Sequence, residues 1–150
     1  MTRELITFEM SRQLFGIDMA AIREIREWAP IIQASDAPPY VVGMADLRGR
    51  LVPVIDLGAR LGWGMTGITG HHAIIIVQQG ALTAGLMIES LIDLVNLEEA
   101  ALAVPPMLGP VPGEEEMTCF IDGLTPVGHR MLLVLNLEQL LEREWLGTPR

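Results

Sequence analysis

Three side chains in the last third of the sequence are of the types that could carry out nucleophilic catalysis. Cys119, Asp122 and His129 offer a thiol, a carboxylate and an imidazole. A thiol attacks a substrate efficiently when a neighbouring histidine removes its proton and a third group orients that histidine. The alternative is structural, because a cysteine is commonly a small core residue and a histidine is readily placed in a turn. A small β-barrel enzyme using these three residues is one hypothesis.

Other chemistry has little support in the sequence. His71 and His72 are adjacent, so on a strand they would point to opposite faces, and no acidic residue or cysteine lies beside them to complete a metal site. The sequence contains no phosphate-binding P-loop and no nucleophile elbow. We therefore expect neither a bound metal nor an organic cofactor.

Charge and length exclude several further classes. The chain has 150 residues and a net charge of -9. Nucleic acids and anionic lipids are bound by clustered basic residues, so neither is expected as a partner. No acidic residue, lysine or arginine occurs from 61 to 88, but glycines, histidines and glutamines interrupt this stretch. It is interpreted as a loop and two buried strands, with no insertion into a membrane. The single cysteine agrees with a reducing, cytoplasmic location.

The elements that would position these residues are mostly strands. Alternating apolar residues and glycine-containing turns predict strands, while apolar residues at every third position of 20–28 locally predict a helix. Pro53 favours an edge strand or a bulge. A final helix over 137–145 would begin at Asn136 as its N-cap, with Gln139 completing a capping box. The predicted strands are 4–11, 14–17, 41–47, 51–57, 73–78, 82–89, 92–97, 118–121 and 130–137.

The sequence contains an internal repeat. Residues 50–61 and 130–141 each read as a basic residue, an apolar strand, an aspartate or asparagine, and a helical turn. A short polar side chain at the end of the strand can cap the turn that follows it. Because no strand–helix–strand alternation occurs, a parallel sheet is disfavoured, and many short strands indicate small barrels or a sandwich. We therefore expect two similar β subdomains in a single domain covering residues 1–150.

Several motifs, in order, resemble the CheW family of chemotaxis coupling proteins. The stretch 43–49 is similar to the family's Gly-Val-x-Asn-Leu-Arg-Gly, with Asp46 in place of the usual asparagine, and 51–57 to its strand ending in Asp-Leu. Residues 15–18, 22–25 and 39–43 match the preceding motifs, and 128–141 matches the final strand and helix. Glu89 and Ser90 stand where the family often has aspartate and glycine. The resemblance spans nearly the whole chain.

The resemblance implies a fold and a function. The fold is mostly β, with two SH3-like five-stranded β-barrels packed together and short helices, which makes 23–28 a strand rather than a helix. The function is a non-enzymatic adaptor, located in the cytoplasm, that couples the cytoplasmic tip of a chemoreceptor to the regulatory domain of a CheA-type histidine kinase. The kinase would bind the surface of the first barrel. The positions that match the family's receptor-binding residues are Ile22, Glu24, Gly43, Arg48 and Gly49.

Two alternatives share this fold. The same adaptor could serve twitching motility or another non-flagellar chemosensory pathway. The chain could also be a fragment of a histidine kinase, because such kinases end in a similar domain. The initial methionine and the expected terminal helix favour a separate protein. Arg48 itself has a purely structural interpretation, as a solvated arginine in a hairpin turn.

Overall fold

The computed structural model describes residues 2–10, 12–27, 40–61, 73–98 and 120–141. They form ten strands, a single 3-10 turn at Met19–Ala21 and two short helices, α1 (Leu57–Arg60) and α2 (Leu137–Leu140). The fold is mostly β, as expected. The strands are β1 (Thr2–Met10), β2 (Gln13–Asp18), β3 (Ile22–Glu27), β4 (Val41–Leu47), β5 (Arg50–Asp56), β6 (Ala73–Gln79), β7 (Leu82–Ile88), β8 (Ser90–Glu98), β9 (Ile121–Val127) and β10 (Arg130–Leu135).

The ten strands form two five-stranded sheets of identical topology. Sheet A has the order β8-β1-β2-β10-β9, and sheet B has the order β3-β6-β7-β5-β4. If five is added to each strand number of sheet A, and ten is subtracted from any sum above ten, the result is the strand order of sheet B. Each sheet has one parallel pair, β2 with β10 and β5 with β7, and antiparallel pairs elsewhere. The chain is therefore a tandem repeat of five strands whose two units exchange strands.

The repeat holds in structural detail. Asp56 accepts a hydrogen bond from Ala59 N at 3.2 Å, and Asn136 accepts one from Gln139 N at 3.3 Å, so both predicted caps are present. The backbone N–H of Asp56 donates to Tyr40 O at 2.8 Å, and that of Asn136 to Phe120 O at 2.7 Å. These pairs of residues lie 80 positions apart, as the sequence repeat requires. The predicted repeat is confirmed and extends back to residues 40 and 120.

Strands β1 to β3 repeat as β6 to β8 with a different offset, 69 residues, which takes Ile22 to Leu91. Ile22 pairs with Val77 across one sheet, and Leu91 pairs with Phe8 across the other. A register shift follows each pair, so that one residue bulges from each strand. This 69-residue repeat was not detected in the sequence, because the two copies share apolar character but few identical residues.

Most of the buried apolar residues lie where the two sheets meet. The largest cluster takes Phe8 and Phe15 from sheet A and Ile75 and Leu86 from sheet B, and its members include both short helices. The rings of Phe8 and Phe15 stack with centroids 5.9 Å apart. Smaller clusters lie within each sheet. Since burial of apolar area is the main stabilising term, the two sheets stabilise each other.

Four predictions about elements need correction. Residues 22–27 are a strand, as the family resemblance implied, and the local helical interpretation of 20–28 is wrong because the bulge at Arg23 interrupts the two-residue period. The last helix spans Leu137–Leu140 and Leu141 is extended, while 142–145 of the predicted helix lie outside the described residues. The strand expected at 118–121 runs instead from Ile121 to Val127, and 118–119 lie outside the described residues.

The fourth correction concerns Pro53, which lies in an interior strand rather than at an edge. Strand β5 pairs with β7 only from Val54 to Asp56. At Pro53 the strand therefore has a paired neighbour, β4, on one side only. A residue without a backbone N–H is accommodated at such a position, which explains why a proline does not interrupt the sheet.

Candidate functional site

The site begins with a tight hairpin between β4 and β5. Leu47 pairs with Arg50, so the turn consists of two residues, Arg48 and Gly49. Both have left-handed backbone conformations, with φ of 55° and 87°. Two-residue hairpins favour this geometry because its twist matches that of the strands. Glycine adopts it without steric cost, whereas arginine does not.

Asp46, near the end of β4, stabilises this hairpin through its side chain. Its Oδ1 accepts a hydrogen bond from the backbone N–H of Gly49 at 2.8 Å. Asparagine, the residue usual in the family at this position, carries a side-chain oxygen at the same place. The departure at Asp46 therefore leaves the turn intact and adds a negative charge beside Arg48.

Strand β3 approaches this hairpin although β3 and β4 are opposite edges of sheet B. Arg26 Nη1 donates to the carbonyl oxygen of Asp46 at 3.0 Å. Glu24 lies between two arginines, with Oε2 3.8 Å from Arg48 Nη2 and Oε1 3.9 Å from Arg26 Nε. These contacts close the sheet on itself and bring Glu24 to Arg48. Sequence reasoning identified Glu24 and Arg48, but it missed Arg26, which lies two residues after Glu24 on the same face of a strand.

Arg48 is available to a partner to an unusual degree. Its side chain is 88% exposed, while that of Glu24 is 31% exposed. An exposed ion pair at this distance contributes about 0–1 kcal/mol to folding. The guanidinium therefore adds little to stability, and a strained, exposed arginine is the type of residue that anchors an interface.

The other two predicted site residues lie apart from this exposed group. Ile22 is half-buried against the cluster between the sheets. Gly43 is buried in β4 directly after a register shift, and Gly123 occupies the same place in β9. The structure thus brings together Glu24, Arg48 and Gly49 and gives Ile22 and Gly43 supporting positions.

Two exposed apolar residues lie on the strands that carry the charged group and were not singled out in the sequence. Leu51 pairs with Asp46 across the hairpin of Arg48 and is 52% exposed, and Ile25 follows Glu24 in β3 and is 41% exposed. Because side chains alternate along a strand, Ile25 points to the face opposite Glu24. Leu51 is the residue of this pair that lies in the hairpin of Arg48, and an exposed leucine beside an arginine suits a protein-binding surface. A possible signal was the alternation of β5, in which Leu51 occupies an outward position.

The residues of the enzyme hypothesis do not assemble in the part that is described. Asp122 lies near the start of β9 and is 3.3 Å from Arg3 Nη1, whereas His129 is exposed in the turn after β9. Seven strand residues span roughly 20 Å, so this aspartate does not orient this histidine. Cys119 lies outside the described residues.

Arg3 instead belongs to a structural network in sheet A. It contacts Asp18 Oδ2 at 2.6 Å as well as Asp122. The hydrogen bond that Arg3 donates to Asp18 raises the pKa of the Arg3 guanidinium above its usual value; burial opposes this shift, and the charges of both carboxylates add to it. Arg3 therefore stays charged and joins β1, β2 and β9.

The same described ranges contain neither a helix that spans a membrane nor a cluster of metal ligands. None of the helices there has the length and apolar character needed to cross a bilayer. No group of three or more potential metal ligands occurs among these residues. His71 and His72, the histidine pair considered from the sequence, lie outside them.

Comparisons with known proteins agree on one family. Residues 4–144 match the CheW-like domain. The probable chemotaxis protein CheW of Rhizobium etli is 31% identical over 138 residues, 92% of this chain and 86% of that protein. The crystal structure of the scaffolding protein TtCheW from Thermoanaerobacter tengcongensis superimposes with a TM-score of 0.83 at 28% identity, covering 95% of this chain and 89% of that one. Protein PilI of Pseudomonas aeruginosa is 27% identical over 84 residues, 56% of this chain and 47% of that protein.

Proposed function

Because this chain belongs to the CheW-like domain family, we propose that it is an adaptor that couples chemoreceptors to a CheA-type histidine kinase in a chemosensory array. The likeness to a crystallised scaffolding protein supports a role in assembly and is consistent with a lack of catalytic activity. A cytoplasmic location, at receptors anchored in the membrane, follows from that role.

The observation that carries the proposal is the group formed by Glu24, Arg48 and Gly49. Arg48 projects into solvent from a turn that glycine would occupy at lower cost, and it gains only a weak ion pair in return. We assign this group, with Leu51 of the same hairpin, to the tip of the receptor's helical hairpin. An arginine fork can bind carboxylates or carbonyls of a helix pair while the leucine excludes water.

Ile22 and Gly43 support this surface from behind. Ile22 packs on the core and holds the start of β3, and Gly43 follows the bulge of β4. We take sheet A, which contains β1 and β2, as the first barrel and assign the kinase regulatory domain to its surface, which leaves the receptor surface on sheet B accessible. Receptor and kinase can then bind the adaptor at the same time. A change in the receptor would alter kinase output through differences in these contacts.

The test compares Arg48→Ala with Arg12→Ala, a matched control in the exposed turn between β1 and β2 of the other sheet. Binding of a purified receptor signalling tip is measured by calorimetry. We expect Arg48→Ala to weaken binding at least about 30-fold, the effect of losing an interface hot spot of about 2 kcal/mol, without loss of the fold. Unchanged receptor affinity in Arg48→Ala would refute the assignment of this surface.

A second candidate is the same adaptor role in a non-flagellar pathway such as twitching motility. The similarity to protein PilI supports this second candidate. Co-purification of the native chain with candidate receptors and histidine kinases from the same source distinguishes the two pathways, because each supplies a different kinase. Recovery of only a twitching-motility kinase would favour this second candidate, and recovery of only a flagellar chemotaxis kinase would exclude it.

A further inference from the structure

Arg60 joins the two sheets through contacts that no other arginine described here makes. It lies in α1, which follows β5 of sheet B. Its Nε donates to the carbonyl oxygen of Leu140 at 3.0 Å and its Nη2 to that of Gln139 at 3.2 Å, both in α2 of sheet A. The last carbonyls of a helix have no partner within it, so Arg60 supplies what α2 lacks.

The same guanidinium lies against two aromatic rings. Its central carbon is 4.5 Å from the ring centroid of Tyr40 and 4.6 Å from that of Phe120. Both distances are within the range of a cation–π contact. Tyr40 precedes β4 of sheet B and Phe120 precedes β9 of sheet A, so the guanidinium contacts the two sheets at once.

Tyr40 and Phe120 are equivalent residues of the internal repeat, 80 positions apart. The guanidinium is nearly equidistant from these two equivalent rings, so it lies between equivalent parts of the two halves. The residue equivalent to Arg60 in the second half is Leu140, which is buried and apolar. The contact that Arg60 makes therefore has no duplicate made by the second half.

We propose that Arg60 is a positioning residue that fixes the orientation of sheet A relative to sheet B. Its planar group satisfies two carbonyls and two ring faces together, and each contact constrains a different direction. Lysine has the same charge but neither the plane nor the fork, so it cannot replace these contacts. The consequence for function rests on the proposed adaptor role. A receptor on sheet B and a kinase on sheet A keep a fixed relative orientation only if the two sheets do.

The first experiment measures orientation in the isolated chain. Spin labels are placed at Glu27→Cys on β3 and Asn96→Cys on β8, two exposed residues that are equivalent in the repeat, in a chain carrying Cys119→Ser. Distances between the two labels are measured by double electron–electron resonance spectroscopy. We expect a narrow distribution in the otherwise native chain and in Arg12→Met, and a broadened or displaced distribution in Arg60→Met and Arg60→Lys. Distributions that superimpose in all four chains would overturn the proposal.

The second experiment measures the adaptor's two contacts separately and together. Arg60→Lys should bind a receptor tip alone, and the kinase regulatory domain alone, within about twofold of the native affinities. The yield of the complex containing all three proteins should fall by about tenfold, because the second binding event depends on relative geometry. Equal loss in binary and ternary binding would indicate general destabilisation and overturn the functional consequence. If the native chain binds neither partner, the adaptor role fails, and the label distances still decide the role of Arg60.

Discussion

Replacing Arg48 by glycine should make the protein more stable and less able to bind its receptor. Arg48 has φ of 55°, and the equivalent turn residue of the second repeat, Gly128, has φ of 61°. A side chain in this left-handed region costs about 1–2 kcal/mol. Glycine removes that cost but restores about 0.4–1 kcal/mol of freedom to the unfolded chain. Loss of the exposed ion pair with Glu24 subtracts at most about 1 kcal/mol. Midpoint values give a gain of about 0.3 kcal/mol, and the extremes are a loss of about 1 kcal/mol and a gain of about 1.6 kcal/mol.

Urea denaturation followed by circular dichroism measures this balance, and calorimetry with a receptor tip measures binding. Arg48→Ala retains the strained conformation and serves as the matched variant, so stability should rank glycine above arginine and alanine. Binding should rank the native arginine far above both variants. The reciprocal change, Gly128→Arg, should lower stability by about 1 kcal/mol through the same steric cost. If Arg48→Gly destabilises the fold by more than about 1 kcal/mol, the reasoning from backbone strain is incorrect.

Two further predictions concern stability. Gly85→Ala should lower the free energy of unfolding by about 1–3 kcal/mol, because a methyl group there would lie 2.8 Å from Ile74 Cγ2. The equivalent change Gly16→Ala meets nothing closer than 3.3 Å and should cost less. Equal effects of the two changes in urea denaturation would contradict this. Asp56→Ala should cost about 1–2 kcal/mol by removing the hydrogen bond to Ala59 N, while Asp56→Asn should retain most of the stability; a thermal melt unaffected by alanine would rule out the cap.

Local chemistry explains the elements that were predicted correctly from the sequence. The caps at Asp56 and Asn136 and the hairpin at Arg48 depend on residues within four positions of each other, so short motifs suffice to identify them. The family resemblance named Glu24 and Arg48 as two site residues, but it did not predict that their side chains are in contact. Strand β9 was misplaced because Asp122 and Pro126 resemble turn residues, although the repeat of β4 aligns with it.

The sequence by itself determined a β-rich domain with two similar halves, a net negative charge and an arginine at a hairpin turn. Those properties follow from composition, period and turn chemistry, which act over a few residues. Only the tertiary structure decided that β1 and β2 join the sheet of β8 to β10, that β6 and β7 join the sheet of β3 to β5, and that Glu24 and Arg26 reach the hairpin of Arg48. Pairing between distant strands depends on which apolar faces can be buried together, and no local pattern contains that information.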